Sequence, residues 1–359
     1  MAPPLSPKRR CCPDATVSLP DELIFNILSW APLNSVCRFR CVCRVWRAVL
    51  SDPAFIATHR SRHAEPLLVV RSSQENPGRG YDLRLMDMDG NVVREMKGIG
   101  GMGSLSTSAD DHVCITDYLS GRAHVIDLAK GEVVVDCPKP KSQLHHVFGF
   151  GRAEPSGKYK VVRLLLGWSF DYEVLTVGDG ARWRRVRPPP AGISDGRSSP
   201  VAVDGTMYFL SSDSPSDDAL LRLDLESEQW TKPLKGPMNT MVPLRWKMSG
   251  IVRITELNGC FCVVHLGAHM TIWLMTESEN EKWVKAYTIP VDPSTKYCMP
   301  LRVTCDGGKL IFFSSCYGQG SELRVYDPST ETCTTRWALG CRGDTVRLCN
   351  LQLGHFVRP

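Results

Sequence analysis

The chain has 359 residues, 43% of them hydrophobic, and a formal net charge of +5 from 43 Lys and Arg against 38 Asp and Glu. The two signs are intermixed, so the small basic excess gives no case for a nucleic-acid partner. No apolar run approaches the ~18 residues that cross a membrane. At this length a small module plus one large domain is expected. Residues 1–16 carry no apolar core and read as a disordered leader rather than a secretory signal. Lys8-Arg9-Arg10 is either a nuclear-import aid or a solvated tail. The 15 cysteines include no Cys-x-x-Cys pair, and Cys37, Cys41 and Cys43 lie close together with no His beside them. No metal site and no cofactor are therefore expected, and the thiols read as reduced ones of a cytoplasmic or nuclear protein.

Residues 17–62 have a helical pattern. Pro20 suits the first position of a helix, and Asp21 and Glu22 put negative charge in its first turn. Leu23, Ile24, Ile27 and Leu28 recur at helical spacing; Trp30 extends their stripe, and Phe25 falls on the polar side. Pro32 ends this helix. A second begins near Asn34 with Val36 and Phe39. In a third, Val42, Val45, Trp46, Val49 and Leu50 share a face, with Arg44 and Arg47 opposite. Asp52-Pro53 reads as the N-cap and first residue of a fourth helix carrying Phe55 and Ile56. A unit this small rarely closes a core alone. Part of its apolar surface should be covered, either by the following domain or by a partner.

The order Leu19-Pro20-Asp21-Glu22-Leu23, then Ile27-Leu28, then Val42-Cys43-Arg44-x-Trp46 with Leu50, resembles an F-box. The resemblance implies docking on the small acidic Skp-type adaptor of cullin-based ubiquitin ligases. Adaptor contacts are accordingly expected from Leu19, Pro20, Leu23, Ile27, Leu28, Leu33, Val42, Cys43, Trp46 and Leu50. Arg38, Arg40, Arg44 and Arg47 either suit that acidic partner or form a solvated face.

From residue 66 to 359 the period changes to 2, and similar units recur about every fifty residues. In residues 199–234, Pro200 to Val203 is a strand, Asp204-Gly205 a tight turn, and Thr206 to Ser212 a second strand. A polar insert, a third strand at Leu220 to Leu225 and a fourth from Gln229 follow. The order repeats in 251–290 around Asn258-Gly259 and in 301–339 around Asp306-Gly307, and more loosely in 143–187 and 105–137. The first unit, 67–96, has only three strands, whereas residues 344–357 supply a strand with no unit of its own. A ring of six four-stranded blades, closed by lending that strand to the first blade, accounts for the tally and removes both sheet edges. Two β-sandwiches are the alternative.

The segments VFGFGRAEPSGKYKVVRL, YEVLTVGDGARWRRV, VAVDGTMYFL with LLRLDLESEQW, and LRVYDPSTET look like the F-box-associated, kelch-like domain of plant F-box proteins. Together the two resemblances imply a mainly β protein with a small α module. They also imply a non-catalytic substrate receptor of a Skp-cullin-F-box ubiquitin ligase, holding a target protein on its propeller. The alternatives are a propeller enzyme such as a glycosidase, or an adaptor without ubiquitin transfer. Glycoside hydrolysis would need two carboxylates facing across a pocket, yet Asp87, Asp89, Asp204, Asp224, Asp306 and Asp327 sit where turns use them as caps. His145-His146 and His265 with His269 could serve as ligands or bases, although neighbours in a strand point to opposite faces. The inserts between second and third strands should emerge on one face of the ring, and Tyr81, Trp168, Phe170, His269 and Tyr317 are candidates there for target contact. Trp168 and Phe170 could equally pack between blades.

Overall fold

The computed structural model describes residues 21–31, 36, 39, 42–63, 66–72, 81–99, 105–107, 111–117, 122–137, 145–166, 172–178, 180, 182–194, 198–212, 219–237, 251–277, 282–304, 308–316, 320–339 and 345–349. The expected leader, Leu19, Pro20, Leu33, Trp168, Phe170, Asp306, Tyr317 and the last residues of the expected closing strand lie outside these. The chain divides into two compact units, residues 1–65 and residues 66–359.

In the first unit, α1 (Asp21–Ser29), α2 (Arg44–Ser51) and α3 (Pro53–His63) are helices, and Val36 and Phe39 are helical between α1 and α2. Asp52 serves two helices: its amide donates to the Val49 carbonyl at the end of α2, and its carboxylate accepts from the Ala54 amide (2.7 Å) at the start of α3. This is the N-cap arrangement expected of Asp-Pro, since Pro53 has no N–H to satisfy. Leu28, Val36, Leu50 and Phe55 form the small core. Phe25, placed on the polar side of α1 by periodicity, instead packs edge-on against Phe55, ring centroids 5.3 Å apart. His59, buried, stacks on Phe55, and its Nε2 lies 2.8 Å from the Ala31 carbonyl, tying α3 to the end of α1.

In the second unit six antiparallel sheets follow one another. Blade 1 holds β1 (Leu67–Ser72), β2 (Tyr81–Met86) and β3 (Val92–Ile99). Blade 2 is β4 (Leu105–Thr107), β5 (His112–Asp117), β6 (Arg122–Asp127) and β7 (Glu132–Cys137). Blade 3 is β8 (His145–Arg152), β9 (Tyr159–Leu166), β10 (Tyr172–Thr176) and β11 (Arg184–Arg185). Blade 4 is β12 (Val201–Val203), β13 (Thr206–Leu210), β14 (Ala219–Asp224), β15 (Gln229–Trp230) and β16 (Leu234–Lys235). Blade 5 is β17 (Ile251–Leu257), β18 (Cys260–Leu266), β19 (His269–Glu277) and β20 (Lys282–Pro290). Blade 6 is β21 (Thr295–Val303), β22 (Leu310–Cys316), β23 (Ser321–Asp327) and β24 (Thr332–Leu339). The last strand, β25 (Thr345–Cys349), joins blade 1.

Closure follows the strand tally. β25 pairs antiparallel with β1, Leu67 opposite Cys349 and Val70 opposite Val346. The six first strands, β25, β4, β8, β12, β17 and β21, neighbour one another around the centre. Six apolar clusters are found among the described residues of this unit, each spanning two successive blades, and one of them joins blade 6 to blade 1 through Val70, Val346, Leu301 and Phe313. An open arc of six blades would have five such layers; a ring has six. On the outer side of the same junction Trp337 donates its indole N–H to the Met88 carbonyl (3.0 Å) and Arg336 pairs with Asp89 (3.0 Å).

Local sequence explains the regularity and the split of one outer strand. Asp204-Gly205 and Asn258-Gly259 all have positive φ (46°, 70°, 51° and 83°), the geometry of two-residue hairpin turns. The fourth strand of blade 4, expected to run on from Gln229, is split into β15 and β16, both paired to β14. Pro233 in the gap has no N–H for the ladder, and Arg222 takes up the Lys232 carbonyl there with two hydrogen bonds (3.0 and 2.8 Å). The insert expected around His265 to His269 is also shorter than anticipated: Gly267 and Ala268 alone separate β18 from β19.

Candidate functional site: exposed apolar side chains on the helical unit

A helix turns about 100° per residue, which separates the apolar residues of α1 into two arcs. Ile24, Phe25 and Leu28 point toward the small core. Leu23 and Ile27 lie on the other side, 48% and 59% exposed, and Trp30, in the turn that follows α1, is 61% exposed. The face of α2 divides in the same way: Leu50 is buried, Trp46 and Val49 are half-buried and Val45 is exposed, as is Val42 just ahead of the helix. Trp46 packs edge-on against Phe39 at 5.4 Å. Cys43 is exposed and caps α2, its Sγ accepting from the Trp46 amide at 3.4 Å. Arg44 and Arg47 are exposed on the same helix.

The proportions matter. Ten large apolar side chains are exposed among the described residues, and six of them, Leu23, Ile27, Trp30, Val42, Val45 and Ile56, belong to the short helical unit. Scattered exposed apolar residues are ordinary, whereas a concentration of this kind in one small unit marks an interaction surface. Of the residues expected to contact an adaptor, Leu23, Ile27, Val42 and Cys43 are thus at the surface and Trp46 is half-buried, while Leu28 and Leu50 hold the unit together from inside. Trp30, Val45 and Ile56 were not among the expected contacts. The signal for them was the angular spread of apolar residues on each helix, too wide for a single buried stripe.

Three of the propeller aspartates weighed for chemistry cap turns. Asp87 accepts from the Asp89 and Asn91 amides (3.0 and 2.8 Å), Asp224 from the Ser227 amide (2.6 Å) and Asp327 from the Ser329 amide (2.9 Å). The hydroxyl and amide of Ser329, with Lys309, hold the Asp327 carboxyl down at about 2. His146 is buried in β8, and burial pushes the His265 imidazole toward its neutral form. His269 is exposed at the start of β19, and Tyr81 opens β2 opposite Ile99. No group of three or more His, Cys, Asp or Glu side chains that could hold a metal ion occurs among the described residues.

Residues 127–354 match the family model described as the F-box associated beta propeller domain, and residues 16–62 match the F-box-like model. An F-box/kelch-repeat protein of Arabidopsis thaliana is 25% identical over 280 residues, covering 76% of this chain and 66% of that protein. An F-box protein of the same plant is 24% identical, covering 76% of this chain and 72% of its own length. The chain thus spans about two thirds of the length of these relatives. Among solved structures, TolB from Acinetobacter baumannii shares the fold, with a TM-score of 0.50 and 13% identity over 85% of this chain and 72% of that one. With a propeller model matched over more than half its length and an F-box-like unit ahead of it, the chain belongs to the F-box-associated β-propeller family of F-box proteins.

Proposed function

We propose that this protein is a substrate receptor of a Skp-cullin-F-box ubiquitin ligase, itself non-catalytic and working in the cytoplasm, the nucleus or both. The helical unit docks on a Skp-type adaptor, and the propeller holds the protein to be ubiquitinated. The observation that carries this reading is the solvent exposure of Leu23, Ile27, Trp30, Val42 and Val45 in a unit whose core is already filled by Leu28, Val36, Leu50 and Phe55. Arg44 and Arg47 on the same unit favour an acidic partner. Leu19, Pro20 and Leu33 complete the proposed contact set. Ubiquitin transfer then follows from proximity, which raises the effective concentration of target lysines near the charged enzyme. On the propeller, the second-to-third strand corners share one rim, and Tyr81, Trp168, Phe170, His269 and Tyr317 are the proposed target contacts there.

The test separates surface from core. Ile27→Asp places a charge at an exposed apolar position and should abolish adaptor pull-down while the stability of the helical unit stays within about 0.5 kcal/mol of wild type. Leu28→Ala should instead destabilise the unit by roughly 2–5 kcal/mol and weaken binding only through unfolding. Residues 66–359 alone should not capture the adaptor. Full binding by Ile27→Asp, or capture by the isolated propeller, would overturn the assignment.

A further inference from the structure

The exposed large apolar side chains of the propeller sit on its outer edges. Among the described residues they are Val92, Val133, Val134 and Val284, and all four belong to outermost strands, β3, β7 and β20. An outermost strand is paired on one side; its other edge presents a row of backbone N–H and C=O groups, a template for a further strand. β3 mixes its charges, and its Arg94 is committed to the Leu128 and Ala129 carbonyls of blade 2. The other two strands each carry charges of a single sign. β7 has Glu132 and Asp136 and no basic residue, whereas β20 has Lys282 and Lys285 and no acidic one. All four of these side chains are exposed.

The spacing of the charges matches as well. On β7, Val133 faces Ile126 and Val135 faces Val125, so Val134 is an extra residue in the ladder. Glu132 and Asp136, opposite Asp127 and His124, are therefore three ladder steps apart. Lys282 and Lys285 are also three steps apart, and the extra residue of β20, Ala286, lies beyond them. Laid antiparallel, the two edges set Glu132 opposite Lys285, Val133 opposite Val284, Val135 opposite Trp283 and Asp136 opposite Lys282. Opposite charges and apolar pairs facing each other are what stabilise such a ladder. Lys282 has a further contact within its own chain, and Asp136 lies 3.4 Å from His124, so the register rests on Glu132 with Lys285. Lys130, the cation near Glu132 in sequence, is held by Asp127 at 2.9 Å.

Blades 2 and 5 are three positions apart in a ring of six, on opposite sides of it. One copy cannot join its own two edges, and two copies joined once leave one edge of each kind open. Such a contact is heterologous and extends in line rather than closing.

We propose that the chain binds a second copy of itself by antiparallel addition of β7 to β20, head to tail. The contact is independent of adaptor docking, and its test contains no adaptor.

The weight-average mass of the full chain is followed by sedimentation and light scattering in low-salt buffer over about 10–500 µM, the range suited to a contact smaller than ~1,000 Å². The mass should rise with concentration, pass two copies without levelling, and fall on addition of salt. Glu132→Lys and Lys285→Glu should each weaken association at least about tenfold, since either sets like charges face to face. An equimolar mixture of the two should associate again, because each reversed edge meets a reversed mate and each unaltered edge an unaltered one. The double variant should associate by itself for the same reason. Thermal melts establish that the variants are folded; should one not be, Glu132→Gln and Lys285→Gln decide, and each should weaken association. A peptide copying residues 282–290 should compete with the growing chain. Monomer throughout the range, a mass that stops at two copies, association indifferent to charge reversal, or no rescue in the mixture would overturn the proposal. So would binding of the peptide by a chain that stays monomeric, which would assign the β7 edge to a strand of another protein.

Discussion

Removing residues 345–359 should open the ring, and the size of the effect can be worked from one strand. β25 faces β1 across five residue pairs. A ladder of that length carries on the order of five hydrogen bonds, each worth about 1 kcal/mol net. Val346 is fully buried and Cys349 nearly so; burying a valine contributes roughly 1.5–3 kcal/mol. Truncation also uncovers one edge of β1, whose Leu67, Leu68, Val69 and Val70 are all fully buried in the closed ring. The loss comes to about 7–10 kcal/mol, comparable with the whole stability of an ordinary domain. The truncated chain should therefore be partly unfolded and should associate through its open edges, as sedimentation velocity and denaturant unfolding would record. A milder perturbation scales the estimate: Val346→Ala should cost about 2 kcal/mol and lower Tm by roughly 4 °C. Arg336→Ala, which breaks the surface pair with Asp89 at the same junction, should cost less than about 1 kcal/mol. A truncated chain that stays monomeric and melts within about 1 °C of the intact protein would refute closure by β25.

Three further outcomes follow from individual contacts. Gly151→Val should destabilise the blade 3–4 junction by roughly 1–3 kcal/mol in denaturant unfolding, because a side chain there would collide with Ala202 and Leu225. Asn258 sits at φ 51° and exchanges two hydrogen bonds, each 2.9 Å, with the backbone of Val303 in the next blade. Asn258→Gly should lose the bonds alone, and Asn258→Ala should cost about 1 kcal/mol more because alanine resists the left-handed backbone. Asp327 has its carboxyl lowered from 3.8 to about 2 by Ser329 and Lys309. Its contribution is therefore present above pH 4 and fades as pH falls toward 2. Asp327→Asn should remove that part of the acid sensitivity and leave the slope above pH 5 unchanged.

The propeller was legible because its signals are local and repeated. Asp204-Gly205 and Asn258-Gly259 announce hairpins whose backbone few other residues adopt. Counting strands between such turns left one blade short and one strand spare, which fixed the closure before any contact was known. What the count missed has local causes too. Pro233 interrupts an outer strand that alternation alone would run straight through. Arg253, Tyr297 and Arg347 lie in three different blades, up to 94 positions apart in the sequence, and only the closed ring brings Arg253 over the Tyr297 ring and Arg347 to its hydroxyl.

The helical unit was harder to read, and the reason bears on what it does. Periodicity identifies apolar faces but not what covers them. In a large domain an apolar stripe is a core stripe, because the chain has enough other surface to cover it. In a unit of some forty residues a second apolar arc has nothing of its own to meet. On α1 the residues that periodicity merges into one stripe divide into Ile24 and Leu28 on the inner side and Leu23 and Ile27 on the outer, while Phe25 leaves the polar side for the core. The same division on α2 separates Leu50 from Val45. A helix carrying more apolar arc than its own core can use is a helix built for a partner, and that excess can be counted before the partner is known.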